Sequence, residues 1–194
     1  MNVAEEREGF SIDSPAVTLR DDLPAVDEIL ELHRSEIGGD FTAYRNHTYR
    51  VVNLCVALSP DRADRLHKVC IAAAFHDMGI WTAGTFDYLS PSVTLAQAHL
   101  ERIRQPDWAD EITAMVLEHH KISTYRGPWT LVEPFRRADW VDVSMGLRSF
   151  SLPRPTVDQI RSRWPSAGFH RRLVQLTLSR WRRHPLSPLP MLRL

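Results

Sequence analysis

The chain has 194 residues, as many acidic as basic side chains and 43% hydrophobic content, which is enough to bury a real core in one compact domain with an extension. No apolar run reaches the ~18 residues that a bilayer span requires, and Met1 to Phe10 carries acids where a secretory leader has a basic start and an apolar core. The expectation is a cytoplasmic protein without a membrane span. Cys55 and Cys70 fall in apolar stretches without Cys-x-x-Cys spacing, so they read as buried free thiols, not as a disulfide or a zinc knuckle.

In chain order, residues 1–20 form an N-terminal segment. Pro24 after Asp22 then opens a helix that Gly38-Gly39 ends. Asp40 is placed as the cap of a helix carrying His47, whose apolar positions Val51, Val52, Leu54, Cys55 and Leu58 repeat at helical period. Asp61 after Ser59-Pro60 is placed as the cap of the helix that runs through Val69–Phe75 to His76, and Gly79 stops it. Ser90-Pro91 opens a helix through Arg104, Asp107 one that ends at His119-His120, and a further helix spans about Val132 to Met145. Pro153 and Pro155 interrupt the chain before shorter basic helices and a proline-rich end at Pro185, Pro188 and Pro190. With no alternating strand-length run and no repeat, the reading is all-α: a helical domain over 21–150 and a C-terminal helical extension over 151–194.

Charge is unevenly spread. Residues 1–147 balance to −9 and residues 148–194 to +9, and every cation of the second part is arginine. Arginines can attract phosphates, nucleic acid or anionic lipid. Against that, Leu173, Val174, Leu176, Leu178 and Trp181 give the last helix an apolar face for docking on the acidic body, and a net charge of zero lacks the footprint of a nucleic-acid binder. Docking is favoured over nucleic acid, and a homodimer is left open.

Four ligand-type residues stand out: His47, the adjacent pair His76-Asp77, and Asp139 in Arg136-Arg137-Ala138-Asp139. His47 precedes an inward helix face, His76 and Asp77 emerge where a buried helix ends, and Asp139 lies inside a helical pattern. Two imidazoles and two carboxylates suit a divalent transition metal and leave positions open for water and substrate. The alternative keeps His47 and His76 as core histidines paired with carboxylates.

This arrangement resembles the HD superfamily of metal-dependent phosphohydrolases, whose signature is a His, an adjacent His-Asp and a distant Asp on an all-helical core. The resemblance covers roughly residues 24 to 146. It implies an HD-type helical bundle in which His47, His76, Asp77 and Asp139 hold one ion, Mn, Fe, Co, Ni or Zn, that activates water for attack on phosphorus. Some relatives add histidines for a second metal, and His99, His119 and His120 are the candidates here, although Ser92 stands where the first extra ligand is expected. Several relatives also carry a lysine where this chain has Ile80. Arg50, one turn from His47, and the loop cations Lys121 and Arg126 are therefore the candidates for binding substrate phosphate. Each has a plainer reading as a salt-bridge partner or a solvated charge.

For catalysis, Asp77 could orient the attacking water while His119 or His120 protonates the departing oxygen. Asp142, one turn after Asp139, could hold a ligand histidine through its second nitrogen, or else pair with Arg136 or Arg137 on the helix surface. Trp81, Tyr88 and Trp129 could stack on a base but are more simply core. The leading expectation is a phosphohydrolase acting on a nucleotide or another small phosphate ester. The alternatives are a dinuclear-iron oxygenase or non-phosphate hydrolase on the same scaffold, and a non-catalytic binding module. No Gly-x-Gly-x-x-Gly, phosphate-binding loop or Gly-x-Ser-x-Gly elbow competes.

Overall fold

The computed structural model describes residues 18–85, 87–183 and 191. Within them the chain is all-helical, and no strand occurs among the described residues. Most of the N-terminal segment and the proline-rich end at Pro185, Pro188 and Pro190 lie outside the described residues. No helix of the described residues is long and apolar enough to cross a membrane.

Helix α1 (Pro24–Leu32) starts on its proline and buries Val26, Ile29 and Leu30, the i, i+3, i+4 stripe of a core-facing helix. It stops at His33, so the stretch up to Gly38-Gly39 is broken into α1 and a separate turn, α2 (Arg34–Ile37). The long α3 (Phe41–Leu58) is buried on all sides from Ala43 to Cys55 except at Arg45, because α1, α4 (Arg65–Phe75), α8 (Val132–Val143) and α9 (Arg154–Arg163) all lie against it. A helix so enclosed must satisfy its polar side chains internally, and it does: Tyr44 donates to the carbonyl of Ala74 at 2.9 Å and Asn53 to the carbonyl of Tyr49 at 2.9 Å.

In α4 the residues from Lys68 to Phe75 are buried, and Ala72, Ala73 and Ala74 lie among them where α3 packs closely. Lys68 and Glu111, both buried, pair at 2.8 Å and tie α4 to α7 (Ala109–Glu118). After α4 the chain turns through His76, Asp77 and Met78 into α5 (Gly79–Thr82). A Cβ on Gly79 would sit 2.5 Å from the carbonyl oxygen of Tyr88, so only glycine permits the approach of α6 (Leu89–Arg102) to this turn. The Gly79 amide donates to Ser92 Oγ at 3.0 Å, which gives Ser92 a structural task.

Two expected caps differ. Helix α3 begins after Asp40, but that carboxylate accepts from Trp81 Nε1 at 3.0 Å and pairs with Arg172 at 3.0 Å, with no cap bond. Helix α4 starts after Asp64, not Asp61, and the Asp64 carboxylate pairs with Arg62 and Lys68 with no cap bond.

The extension docks on the domain. Thr156, Val157 and Ile160 of α9 are buried, Arg50 donates to the Trp164 carbonyl at 2.9 Å, and Asn46 donates to that of Pro165 at 2.8 Å. In α10 (Phe169–Arg183), Phe169 is in the core while Leu173 and Leu176 pack at its edge. The expected five-residue docking face is thus corrected. At about 100° per residue, Val174, Leu178 and Trp181 lie on the opposite side, 57%, 46% and 56% exposed.

Candidate metal centre

The helices bring His47 from α3, His76 and Asp77 from the end of α4, His119 and His120 from the end of α7, and Asp139 from α8 to one buried point. On α8, Phe135, Ala138, Asp139 and Asp142 fall at i, i+3, i+4 and i+7, so the acids share the inward stripe with core residues.

The Nε2 atoms of His47 and His76 are 2.9 Å apart. Asp77 Oδ2 is 3.4 Å from His76 Nε2 and 3.7 Å from His47 Nε2, and Asp139 Oδ1 is 3.7 Å from each. An ion about 2.0–2.2 Å from each donor keeps neighbouring donors roughly 3–4 Å apart, which is the spacing seen here. A second side of the cluster is formed by His119 Nε2, 3.5 Å from Asp77 Oδ1, and His120 Nδ1, 3.5 Å from Asp139 Oδ2. The trios His47-His76-Asp139, His76-Asp77-His119 and His119-His120-Asp139 could each hold a metal ion.

Hydrogen bonding settles which ring nitrogens carry protons. His47 Nδ1 lies 2.6 Å from Asp142 Oδ2, His76 Nδ1 lies 2.8 Å from the Ala73 carbonyl, and His119 Nδ1 lies 2.7 Å from the Val116 carbonyl. These partners only accept, so each neutral ring keeps its proton on Nδ1 and turns an Nε2 lone pair toward the others. Asp77 Oδ1, both carboxylate oxygens of Asp139 and His119 Nε2 have no hydrogen-bond partner despite being buried. Leaving such groups unsatisfied costs about 1–3 kcal/mol each, more when charged, and a cation held by one of these trios would satisfy the members of that trio. The donor set therefore fits a divalent transition metal.

Electrostatics agree. Burial pushes Asp139 up to about 8, against the pull of His119 and with the help of Asp77 and Asp142. Burial also opposes charge on Asp77, but His76, His119 and His47 override it and hold that carboxyl well below the usual range. Burial pushes His76 down to about 3 and lowers His47, so both rings are neutral and available as donors. His120 is driven well below its ordinary value by burial, with His119 adding to it. On His119, burial is outweighed by Asp77 and Asp139 and the value rises.

Asp142 is the support of the centre. Its carboxylate accepts from Arg50 Nε at 2.5 Å and Arg50 Nη2 at 2.8 Å while holding His47. Burial works against its charge, yet His47 and Arg50 keep it well below the carboxylate range. The expectation that Arg50 binds substrate is corrected here: the guanidinium is buried and spent on Asp142 and the Trp164 carbonyl. Arg136 and Arg137 pair with Glu133, leaving Asp142 to the interior.

His99 is not brought to the cluster. It lies seven residues beyond Ser92, on the same side of α6 but about 10 Å further along, and its ring meets Phe75 at a tilt of 57° with centroids 5.4 Å apart while bonding Arg102. It lines a groove of about 350 Å³ with Glu28, His67, Arg102 and Trp108, which contains none of the cluster residues. Lys121 faces Glu118 at 3.8 Å, and its carbonyl accepts from Arg136 and Trp140; Arg126 is exposed in the following loop with Trp129. Trp81 packs on Tyr44, centroids 4.5 Å apart.

Two participants had no sequence signal beyond being aromatic. The hydroxyl of Tyr88 is 2.7 Å from His120 Nε2. Phe169 of α10 stacks on His47 at 3.9 Å between centroids, so the extension forms one wall of the centre. Compared with known protein families, curated proteins and solved structures, the chain matches none.

Proposed function

We propose that the chain is a metal-dependent hydrolase of the HD superfamily, a phosphohydrolase acting on a nucleotide or another small phosphate ester. The observation that carries this reading is the convergence of the inward Nε2 lone pairs of His47 and His76 with the unpartnered oxygens of Asp77 and Asp139, in the sequence order of the HD signature. His47, His76, Asp77 and Asp139 would hold the ion, which is Mn, Fe, Co, Ni or Zn. A divalent transition metal there would supply Lewis acidity toward water and toward a substrate oxygen.

The chain's own residues do the rest. Asp142, the Ala73 carbonyl and the Val116 carbonyl fix the rings of His47, His76 and His119 by their Nδ1 protons. Asp77 orients the attacking water. His119 or His120 would protonate the departing oxygen, His119 being the ring whose value Asp77 and Asp139 raise. Lys121 and Arg126, which follow His120 in the chain, are assigned to the phosphate now that Arg50 is committed elsewhere. The buried thiols of Cys55 and Cys70 fit a reducing, cytoplasmic setting.

A second reading rests on the trio His119, His120 and Asp139: a dinuclear-iron oxygenase or a non-phosphate hydrolase on the same helices. Elemental analysis of protein purified without chelator separates the two. About one transition metal per chain, lost in His76→Ala/Asp77→Ala, with phosphate released from a panel of phosphate esters, supports the phosphohydrolase. Two irons per chain with oxygen consumption supports the second reading, and no metal in the native protein refutes both.

A further inference from the structure

Helix α10 has two apolar sides, and the fold uses one. Phe169, Leu173 and Leu176 hold it to the body, and Arg172 pairs with Asp40 at 3.0 Å. On the outer side Val174, Leu178 and Trp181, at i, i+4 and i+7, form a continuous exposed stripe about 10 Å long. Arg171 and Arg182 flank it, both exposed and without an ion pair among the described residues. The surrounding extension is cationic as well: Arg148, Arg154 and Arg163 are exposed, and Asp158 is the lone acid between residues 148 and 194.

We propose that the outer face of α10 is a surface for reversible binding to an anionic lipid bilayer, with α10 lying in the plane of the headgroups. Three features select that partner. Apolar side chains including a tryptophan, bordered by arginines on one helix face, match the interface of a membrane, where the stripe enters the acyl boundary and the cations meet anionic headgroups. A stripe of three side chains is far smaller than the ~800 Å² per partner of a stable protein interface, and two copies meeting there would bring Arg171 and Arg182 against their own counterparts. Nucleic acid would engage the arginines but leave the stripe facing phosphates. The body, with its −9 balance over residues 1–147, would be held off the surface, so the contact stays peripheral.

The test is sedimentation of the full chain with phosphatidylcholine vesicles, with and without ~30% phosphatidylserine, at low and physiological salt. The expected result is binding to the serine-containing vesicles alone, weakening as salt rises. Arg171→Glu/Arg182→Glu and Leu178→Ser/Trp181→Ser should each reduce it about tenfold or more. All four positions are exposed, and circular dichroism with metal content verifies that fold and metal centre are kept. Absence of binding to anionic vesicles at low salt overturns the proposal. So does binding that neither double variant weakens, preferential capture of a single-stranded oligonucleotide at equal salt, or a concentration-dependent dimer that the Leu178→Ser/Trp181→Ser variant abolishes.

Discussion

His47 and His76 face each other through Nε2 atoms 2.9 Å apart, and neither ring has a proton to offer the other. Asp142 takes the Nδ1 proton of His47 and the Ala73 carbonyl that of His76, so the close approach sets two lone pairs against each other. That arrangement suits a cation beside the rings, which the trio His47, His76 and Asp139 could hold.

With the proposed metal bound, chelation is expected to destabilise the protein. A metal present at about 100 times its dissociation constant contributes about 2.7 kcal/mol, which for a chain of this size corresponds to about 5–10 °C in Tm. Calorimetry before and after treatment with a chelator, and after adding metal back, should show a fall and a recovery. In His76→Ala/Asp77→Ala the transition should not respond to chelator.

Asp142→Asn should damage both stability and metal binding, because it strands the buried Arg50 guanidinium and loosens His47. Removing one partner of such a pair costs about 3–5 kcal/mol, and losing support behind a ligand histidine costs about 10–100-fold in metal affinity. Arg50→Met should match the stability loss with a smaller effect on affinity, since Asp142 can still hold His47. Denaturant unfolding and competitive metal titration of both variants measure the two quantities. Equal affinity loss in both would show that the pair acts on the centre as one unit.

Gly79→Ala places a methyl 2.5 Å from the Tyr88 carbonyl oxygen and 3.1 Å from Ser92 Oγ. Neither that backbone nor the bonded serine can yield cheaply, so a loss of about 1–3 kcal/mol is expected. Because Tyr88 bonds His120, the phosphate-ester hydrolysis proposed for the chain should fall beyond what the stability loss explains. Thermal melts and steady-state rates at a temperature where both proteins are folded separate the effects.

Asp27 gives a pH signature away from the centre. Partial burial opposes its charge, but Arg45 at 2.7 Å and the Tyr49 hydroxyl at 2.8 Å hold its carboxyl below the ordinary value. A lowered folded-state value means stability that is present above the unfolded value of about 3.9 and lost as pH falls through the folded one. Asp27→Asn should cost about 1 kcal/mol at pH 7, a modest figure because the pair is partly solvated, and the gap to the native protein should close as pH falls below the ordinary carboxylate range. Urea unfolding of both proteins across that range tests the sign.

The helical identity of the chain and the order of its ligands were legible in one dimension. Helical-period runs such as Val26, Ile29 and Leu30, or Phe135, Ala138, Asp139 and Asp142, state which side of a helix is buried. His76-Asp77 at the end of an apolar run declares a polar pair delivered to the interior. Those readings depend only on local backbone geometry. Helix starts were less legible, since Asp40 and Asp64 serve distant or neighbouring cations as readily as a helix end.

Other features exist only between elements far apart in the chain. Arg50 looked available to a substrate until the fold set Asp142 beside it, 92 residues away. His99 looked inward until its position along α6 carried it to Phe75. Tyr88 and Phe169 join the centre because α6 and α10 happen to deliver them there, and no spacing announces either. Periodicity determines which face of each helix turns inward. Which inward groups meet, and which charges they spend on one another, is decided by the packing of the helices, because distance in space is set by tertiary contacts and not by separation in sequence.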